Sequence, residues 1–180
     1  MSRVRIVGGC MRSRVIDVPE STGLRPTPDR VRETVFNWLG QELSGLNCLD
    51  LFAGSGAMGF EAASRGAASV VMVEKAPAVF AHLQNTLGLL KAPNVRLQRG
   101  DALEFLRATP ERFDVIFLDP PYRQGWLERV APLLPRVLAE DGRVYVEAET
   151  AVDTLAGLTA FKRGKAGQVH YQLLANEDTP

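Results

Sequence analysis

The sequence predicts an α/β fold: a mostly parallel sheet with helices on both faces, preceded by a small N-terminal β-hairpin and helix. Three observations carry this. From residue 46 onward, apolar strand-like runs alternate with helix-like segments, the pattern of a parallel sheet with helical crossovers. A glycine-rich turn, Gly54-Ser-Gly56-Ala-Met-Gly59, falls between the first such strand and its helix. Near the end of the chain Val169, Tyr171 and Leu173 alternate with polar residues, which suits a closing antiparallel hairpin.

Taken in order, Val4, Ile6, Val15, Ile16 and Val18 form two short β-like runs around Gly8-Gly9-Cys10-Met11-Arg12-Ser13, a hairpin with a long, basic, flexible tip. Arg25-Pro-Thr-Pro-Asp-Arg30 leads into a helix with Thr27 as N-cap and Pro28 at the first helical position. Val31, Val35, Trp38 and Leu39 recur at helical spacing and should pack on the body, which turns Arg30 and Arg32 away from it. Gly45 closes this appendage, so residues 1–45 are expected to form an arm and residues 46–180 the main domain. The sheet then runs through strands at Cys48–Phe52, Val70–Val73, Val95–Gln98, Phe113–Leu118 and Val144–Ala148. Helices are expected at Ala57–Arg65, Pro77 to about Leu90, a short one from Asp101, and Trp126–Leu138. Ala175–Pro180 should fray.

Composition excludes several classes. Of 180 residues, 46% are hydrophobic and 23% charged, ordinary values for a globular domain. No apolar run reaches membrane-spanning length and the N-terminus lacks a signal-peptide core, so a cytoplasmic protein is expected. Cys10 and Cys48 imply no disulfide framework, and the isolated His82 and His170 suggest no metal site. Net charge is zero but uneven: residues 1–32 hold seven arginines against Asp17, Glu20 and Asp29, a balance of +4. Arginines grip phosphate bidentately and stack on bases, so Arg3, Arg5, Arg12, Arg14, Arg25, Arg30 and Arg32 are expected, with Thr27, to contact a nucleic acid.

The glycine turn points to a nucleotide-like ligand, and Asp50 narrows it. A carboxylate four residues before the first glycine repels a pyrophosphate but suits a cation. S-adenosylmethionine carries a sulfonium, an ammonium and no phosphate, so the loop favours it over NAD. Glu74, twenty residues past Gly54, can accept from both ribose hydroxyls. Asp101 can receive an adenine amino group or cap a helix in an Asp-x-x-Glu box with Glu104, and both roles can hold at once. The donor set is then Asp50, Phe52, Ala53, Gly54, Gly56, Glu74, Lys75, Asp101 and Ala102.

Asp119-Pro-Pro-Tyr122 follows the most apolar strand. Two prolines stiffen the loop and leave carbonyl acceptors free. Asp119 and the Pro120 carbonyl can hold the two hydrogens of an exocyclic amine while its ring stacks on Tyr122, with Pro121 beside the substrate. Holding both hydrogens localises the nitrogen lone pair and aims it at the methyl group, so positioning supplies most of the catalysis.

With these residues in view, the chain resembles the bacterial methyltransferases that modify the N2 of a guanine in small-subunit ribosomal RNA. The resemblance rests on Arg5-Ile-Val-Gly-Gly9, Arg25-Pro-Thr-Pro-Asp-Arg-Val-Arg-Glu33, Leu49–Gly59 with Glu61-Ala-Ala-Ser-Arg-Gly66, and Asp119-Pro-Pro-Tyr122. Ser13 departs from the glycine usual between two arginines in that family. The resemblance implies a Rossmann-like, seven-stranded methyltransferase sheet, S-adenosylmethionine as donor, and small-subunit ribosomal RNA in a partly assembled subunit as partner. Two rivals remain: an adenine-N6 DNA methyltransferase, disfavoured by the absence of length for a target-recognition domain, and a non-catalytic RNA-binding assembly factor, disfavoured by intact Asp119 and Tyr122. A protein-glutamine methyltransferase, which typically has asparagine in place of Asp119, and a nicotinamide dehydrogenase fit less well.

Overall fold

Unbroken apolar runs in the middle of the chain become strands buried on both faces, because each is covered by helices above and below. In a computed structural model describing residues 2–179, β1 (Ser2–Arg5) and β2 (Val15–Val18) form the expected N-terminal hairpin and α1 spans Asp29–Trp38. There follow β3 (Asn47–Asp50), α2 (Ala57–Ser64), β4 (Ser69–Glu74), α3 (Pro77–Leu90), β5 (Val95–Arg99), α4 (Ala102–Ala108) and β6 (Phe113–Leu118). The chain continues with α5 (Trp126–Val130), α6 (Leu134–Val137), β7 (Leu138–Ala148), β8 (Thr154–Leu155), β9 (Leu158–Ala166) and β10 (Val169–Ala175).

The main sheet has eight strands in the order β5-β4-β3-β6-β7-β10-β9-β8, one more than expected because two-residue β8 joins its edge. β3 to β7 pair in parallel, and β10 lies antiparallel between β7 and β9. The chain winds outward from β3 to β5, then crosses back to β6 on the other side of β3. The carboxyl ends of β3 and β6 therefore meet at the switch point where such sheets bind ligands.

Two apolar layers hold the sheet. On one face Val4, Ile6, Ile16 and Val18 of the hairpin join Val31, Val35 and Phe36 of α1, Phe60 of α2 and Leu83 of α3 in one continuous core. On the other face Leu103 and Leu106 of α4, Val130 of α5 and Leu134 and Val137 of α6 pack on Leu49, Ile116 and Val144. Trp38 stacks on Tyr171 of β10, ring centroids 5.5 Å apart.

The structure corrects several expectations. The single helix Trp126–Leu138 is broken into α5, a 3₁₀ turn at Ala131–Leu133 and α6, because Pro132 and Pro135 lack the N–H groups that a continuous helix needs. The following strand starts at Leu138, not Val144, and residues 139–142 bulge out where β7 shifts register against β6. Thr27 is not a helix cap: α1 begins at Asp29 after Pro28, no side chain caps it, and Thr27 turns inward. Ala175 is paired with Thr159 rather than frayed; Pro180 lies outside the described residues.

The hairpin tip is not flexible but docked on α2. Cys10 N donates to Ser64 O at 2.8 Å and Met11 N to Ser64 Oγ at 2.9 Å, while Ser64 Oγ donates back to Gly8 O. Gly9 has φ +80, and a Cβ there would lie 1.9 Å from Ser64 O, so only glycine allows this approach. Below the tip, Glu61 accepts from Val7 N (2.8 Å) and Gly8 N (3.0 Å) and pairs with Arg32 (2.8 Å) and Arg65 (3.0 Å). Arg32 is fully buried and also donates to Arg5 O and Thr27 O and pairs with Asp29. It therefore points into the body, against expectation, and cannot reach a nucleic acid.

Candidate active site

Gly54 and Gly56 turn the chain from β3 into α2 with φ +53 and +84. A side chain at Gly56 would strike Phe60 at 2.5 Å and Leu83 at 2.9 Å, and one at Gly59 would strike Met72 of β4 at 2.8 Å. The first two glycines thus make the tight turn and the third lets the helix pack close to the sheet. Asp50, nearly fully buried, accepts from Gly59 N at 3.0 Å and ties the strand to the start of α2. Burial pushes its carboxyl up to about 7, against the opposing Gly59 bond and with help from Glu74 and Glu147. Glu74 accepts from Gly54 N with one oxygen and from Ala76 N with the other, each at 3.0 Å. Asp101 caps α4, accepting from Leu103 N (3.0 Å) and Glu104 N (3.1 Å), and Lys75 lies 4.0 Å from its other oxygen. Ala53 and Ala102 are buried, and half-buried Phe52 meets Trp126 edge-on at 5.3 Å.

Asp119-Pro-Pro-Tyr122 leaves the carboxyl end of β6. Pro120 is buried, whereas Pro121 and Tyr122 are exposed. Desolvation of the Tyr122 hydroxyl, with Asp119, Glu147 and Glu149 nearby, raises its pKa. Asp119 follows Leu118, which pairs with Val146 of β7, and so lies beside Glu147. Burial first, then Glu147 and Asp50, hold its carboxyl well above the usual range. Glu147, itself buried, also accepts from Thr27 Oγ1 at 2.8 Å and Tyr145 OH at 2.6 Å.

Sequence reasoning missed Glu147 and Tyr145. One signal was available: a carboxylate near the carboxyl end of an otherwise apolar strand, two residues after Tyr145 and so on the same face. Asp50, Asp119 and Glu147 thus converge from three neighbouring strands. A cleft lined by Leu24, Arg25, Pro26 and Thr27 on one side and Asp50, Phe52–Ser55 and Asp119 on the other opens at this point. The loop before α1 therefore walls the site, bringing Arg25 and Thr27 to it. Arg3, Arg5, Arg12, Arg14 and Arg30 are exposed on the arm; Arg3 pairs with Asp17 and Arg14 donates to Leu89 O at 2.8 Å.

Comparison with known proteins bears on family and fold. A family model described as Conserved hypothetical protein 95 matches residues 4–175. Ribosomal RNA small subunit methyltransferase D of Escherichia coli (strain K12) is 44% identical over 180 residues, covering 97% of this chain and 91% of its own length. The Haemophilus influenzae protein of the same name is 39% identical, covering 96% and 94%. A solved Escherichia coli chain, yhhF, assigned as a methyltransferase, superposes with a TM-score of 0.88 at 42% identity, covering 98% of this chain and 99% of its own. An RNA methyltransferase from Salinibacter ruber, solved with S-adenosyl-L-homocysteine, shares the fold at TM-score 0.68 and 19% identity, covering 87% and 97%.

Proposed function

The chain belongs to the family of ribosomal RNA small subunit methyltransferase D, and from that premise we propose that it methylates the exocyclic N2 of a guanine in small-subunit ribosomal RNA. The observation that carries the reading is the junction of two loops at the switch point. The glycine turn after β3 and the Asp119-Pro-Pro-Tyr122 loop after β6 share one cleft, with Asp50 and Asp119 both lining it.

The donor-side residues fit S-adenosylmethionine. The cleft sets the Asp50 carboxyl beside the glycine turn, which suits a cation rather than a phosphate. Each oxygen of Glu74 has one backbone partner and keeps a lone pair for a ribose hydroxyl. Gly54, Gly56, Phe52 and Ala53 line the turn, while Lys75, Asp101 and Ala102 border the adenine end. Bound there, S-adenosylmethionine supplies an electrophilic methyl group. The scheme gives a metal no step to perform.

On the acceptor side, Asp119 and the Pro120 carbonyl hold the amine hydrogens, Tyr122 stacks on the base and Pro121 flanks it. Arg3, Arg5, Arg12, Arg14, Arg25 and Arg30 take phosphates of the RNA. Residues 1–45 serve as the RNA-binding arm and residues 46–180 as the donor-binding body, working in the cytoplasm on a partly assembled subunit. The test supplies labelled donor to purified protein with ribosomal RNA or partly assembled subunits from cells lacking this activity. Label mapped to a guanine N2 is expected; label on adenine N6, or none, overturns the reading.

A further inference from the structure

We propose that β9, through Lys162 and Lys165, is a second grip on the sugar-phosphate backbone of the RNA, on the flank of the cleft away from the arm. The inference rests on the reading above that the cleft takes an RNA base. Residues 158–175 form β9, its turn and β10, and they hold Lys162, Arg163 and Lys165 with no Asp or Glu. The chain is neutral overall and residues 1–32 carry a balance of +4, so the rest carries −4 and this basic stretch stands out within it. Arg163 is paired with Asp153 at 3.3 Å. Lys162 and Lys165 are exposed and, among the described residues, have no carboxylate partner.

The register puts these lysines beside the site. β10 runs antiparallel to β7, with His170 opposite Ala148 and Tyr171 opposite Glu147. From β9, Lys165 and Gly164 face the same two residues of β10. The end of β9 therefore lies at the carboxyl edge of the sheet, two strand spacings or about 10 Å from Glu147. The arm sits on the other flank: its tip docks on α2, Arg14 donates to Leu89 O near the end of α3, and both helices pack on β4. The cleft at β3 and β6 lies between the two. A strand that presents one base to the cleft leaves it in two directions, and only one of them meets the arm. Phosphate contacts on both flanks fix its register and orientation without reading its sequence.

β9 is also held stiffly. A Cβ at Gly164 would lie 2.3 Å from Cζ of Tyr171, so that ring rests on bare backbone, and Trp38 of α1 stacks on the same ring. The lysines thus keep a fixed place relative to the helix that follows the cleft wall. Beyond Ala160, β9 has no strand on its outer side among the described residues. Lysines on such an open edge also discourage pairing with other chains, and experiment separates that role from the grip.

Binding of the full chain to small-subunit ribosomal RNA, measured between about 50 and 200 mM salt, is the test. Lys162→Gln with Lys165→Gln should flatten the slope of log affinity against log salt by roughly 1.5. Added to Arg12→Gln and Arg14→Gln, the same pair should bring the flattening to roughly 3, because both surfaces hold one RNA. In turnover the lysine variant should raise KM for the RNA, with kcat at saturation and donor affinity near the parent's. Arg107→Gln, exposed at the end of α4 and so at the opposite edge of the sheet, should leave the slope alone. An unchanged slope in the lysine variant overturns the proposal and leaves the lysines as edge protection. Equal flattening per charge in Arg107→Gln, or flattening seen only with weakened donor binding, overturns it too. Failure of the parent to methylate a guanine N2, with the lysine-dependent slope intact, would count against the functional reading instead.

Discussion

Two buried polar clusters lie on the same face of the sheet and are built on opposite principles. Where the arm meets α2, the Glu61 carboxylate meets two guanidiniums and two backbone N–H groups, and Arg32 spends its donors on Glu61, Asp29, Arg5 O and Thr27 O. Charge is matched with charge. At the switch point Asp50, Asp119 and Glu147 face one another, and burial pushes the first two upward. The first arrangement holds a chain in place. The second stores unfavourable electrostatics that a cationic donor and an amine can relieve, a pattern typical of sites rather than scaffolds. Burial of charge alone does not distinguish function from structure; the sign of the neighbours does.

The contrast predicts which cluster carries stability. Glu61→Ala leaves Arg32 buried without its principal partner and should cost about 3–5 kcal/mol in urea unfolding. A loss below about 1 kcal/mol would mean that the matched cluster is not what holds the arm. Asp119→Ala should do the reverse: transfer falls by at least about a hundredfold, while donor affinity by calorimetry stays near the parent's and unfolding is little changed. Loss confined to donor affinity, with turnover intact at saturation, would show that Asp119 serves the donor instead.

Gly9→Ala tests the contact between the clusters' supports. Its Cβ meets backbone rather than a flexible side chain, so the tip must lift from α2. We expect a loss of about 1–3 kcal/mol and faster amide exchange at Cys10 and Met11, with donor binding kept. Unchanged exchange would mean that the tip is not anchored there.

Asp50 should give a pH signature. Its folded-state pKa, raised to about 7 from the ordinary 3.8, makes the folded protein bind a proton that the unfolded chain releases. That contribution is full below pH 4 and is lost as pH rises to about 7. Relative to Asp50→Asn, the parent should therefore lose stability between pH 4 and 7, and parallel curves would reject the shift. The smallest effect belongs to the exposed arginines. Arg12→Gln with Arg14→Gln should flatten the slope of log RNA affinity against log salt by roughly 1.5. Unchanged slope and affinity would make the arm's charge a solvated surface.

What was legible in the sequence was local. Glycines at 54, 56 and 59 declare a turn wherever they fall, and Asp119-Pro-Pro-Tyr122 declares a stiff loop at a strand end. Apolar runs announced the parallel strands because burial on both faces leaves no alternation to misread. Partners distant in the chain were not legible. Thr27 looked like a cap because nothing near it in sequence indicates a carboxylate 120 residues on. Arg32 was set outside because Val31 and Val35 define the helical stripe, yet Phe36 is buried too and the stripe is wide enough to include it. The break at Pro132 and Pro135 was legible and overlooked.

The docking of Gly8–Met11 on Ser64 also has a consequence for synthesis. The hairpin's anchors lie 53 to 56 residues further along the chain. The hairpin therefore leaves the ribosome before its docking site and waits, with apolar residues uncovered, until α2 emerges. At roughly 5–20 residues per second that interval lasts several seconds. During it the arm is exposed to chaperones, proteases and the RNA around the exit tunnel. Hairpin formation, at about 1–10 μs, is far faster than that interval, so docking of the arm is timed by translation.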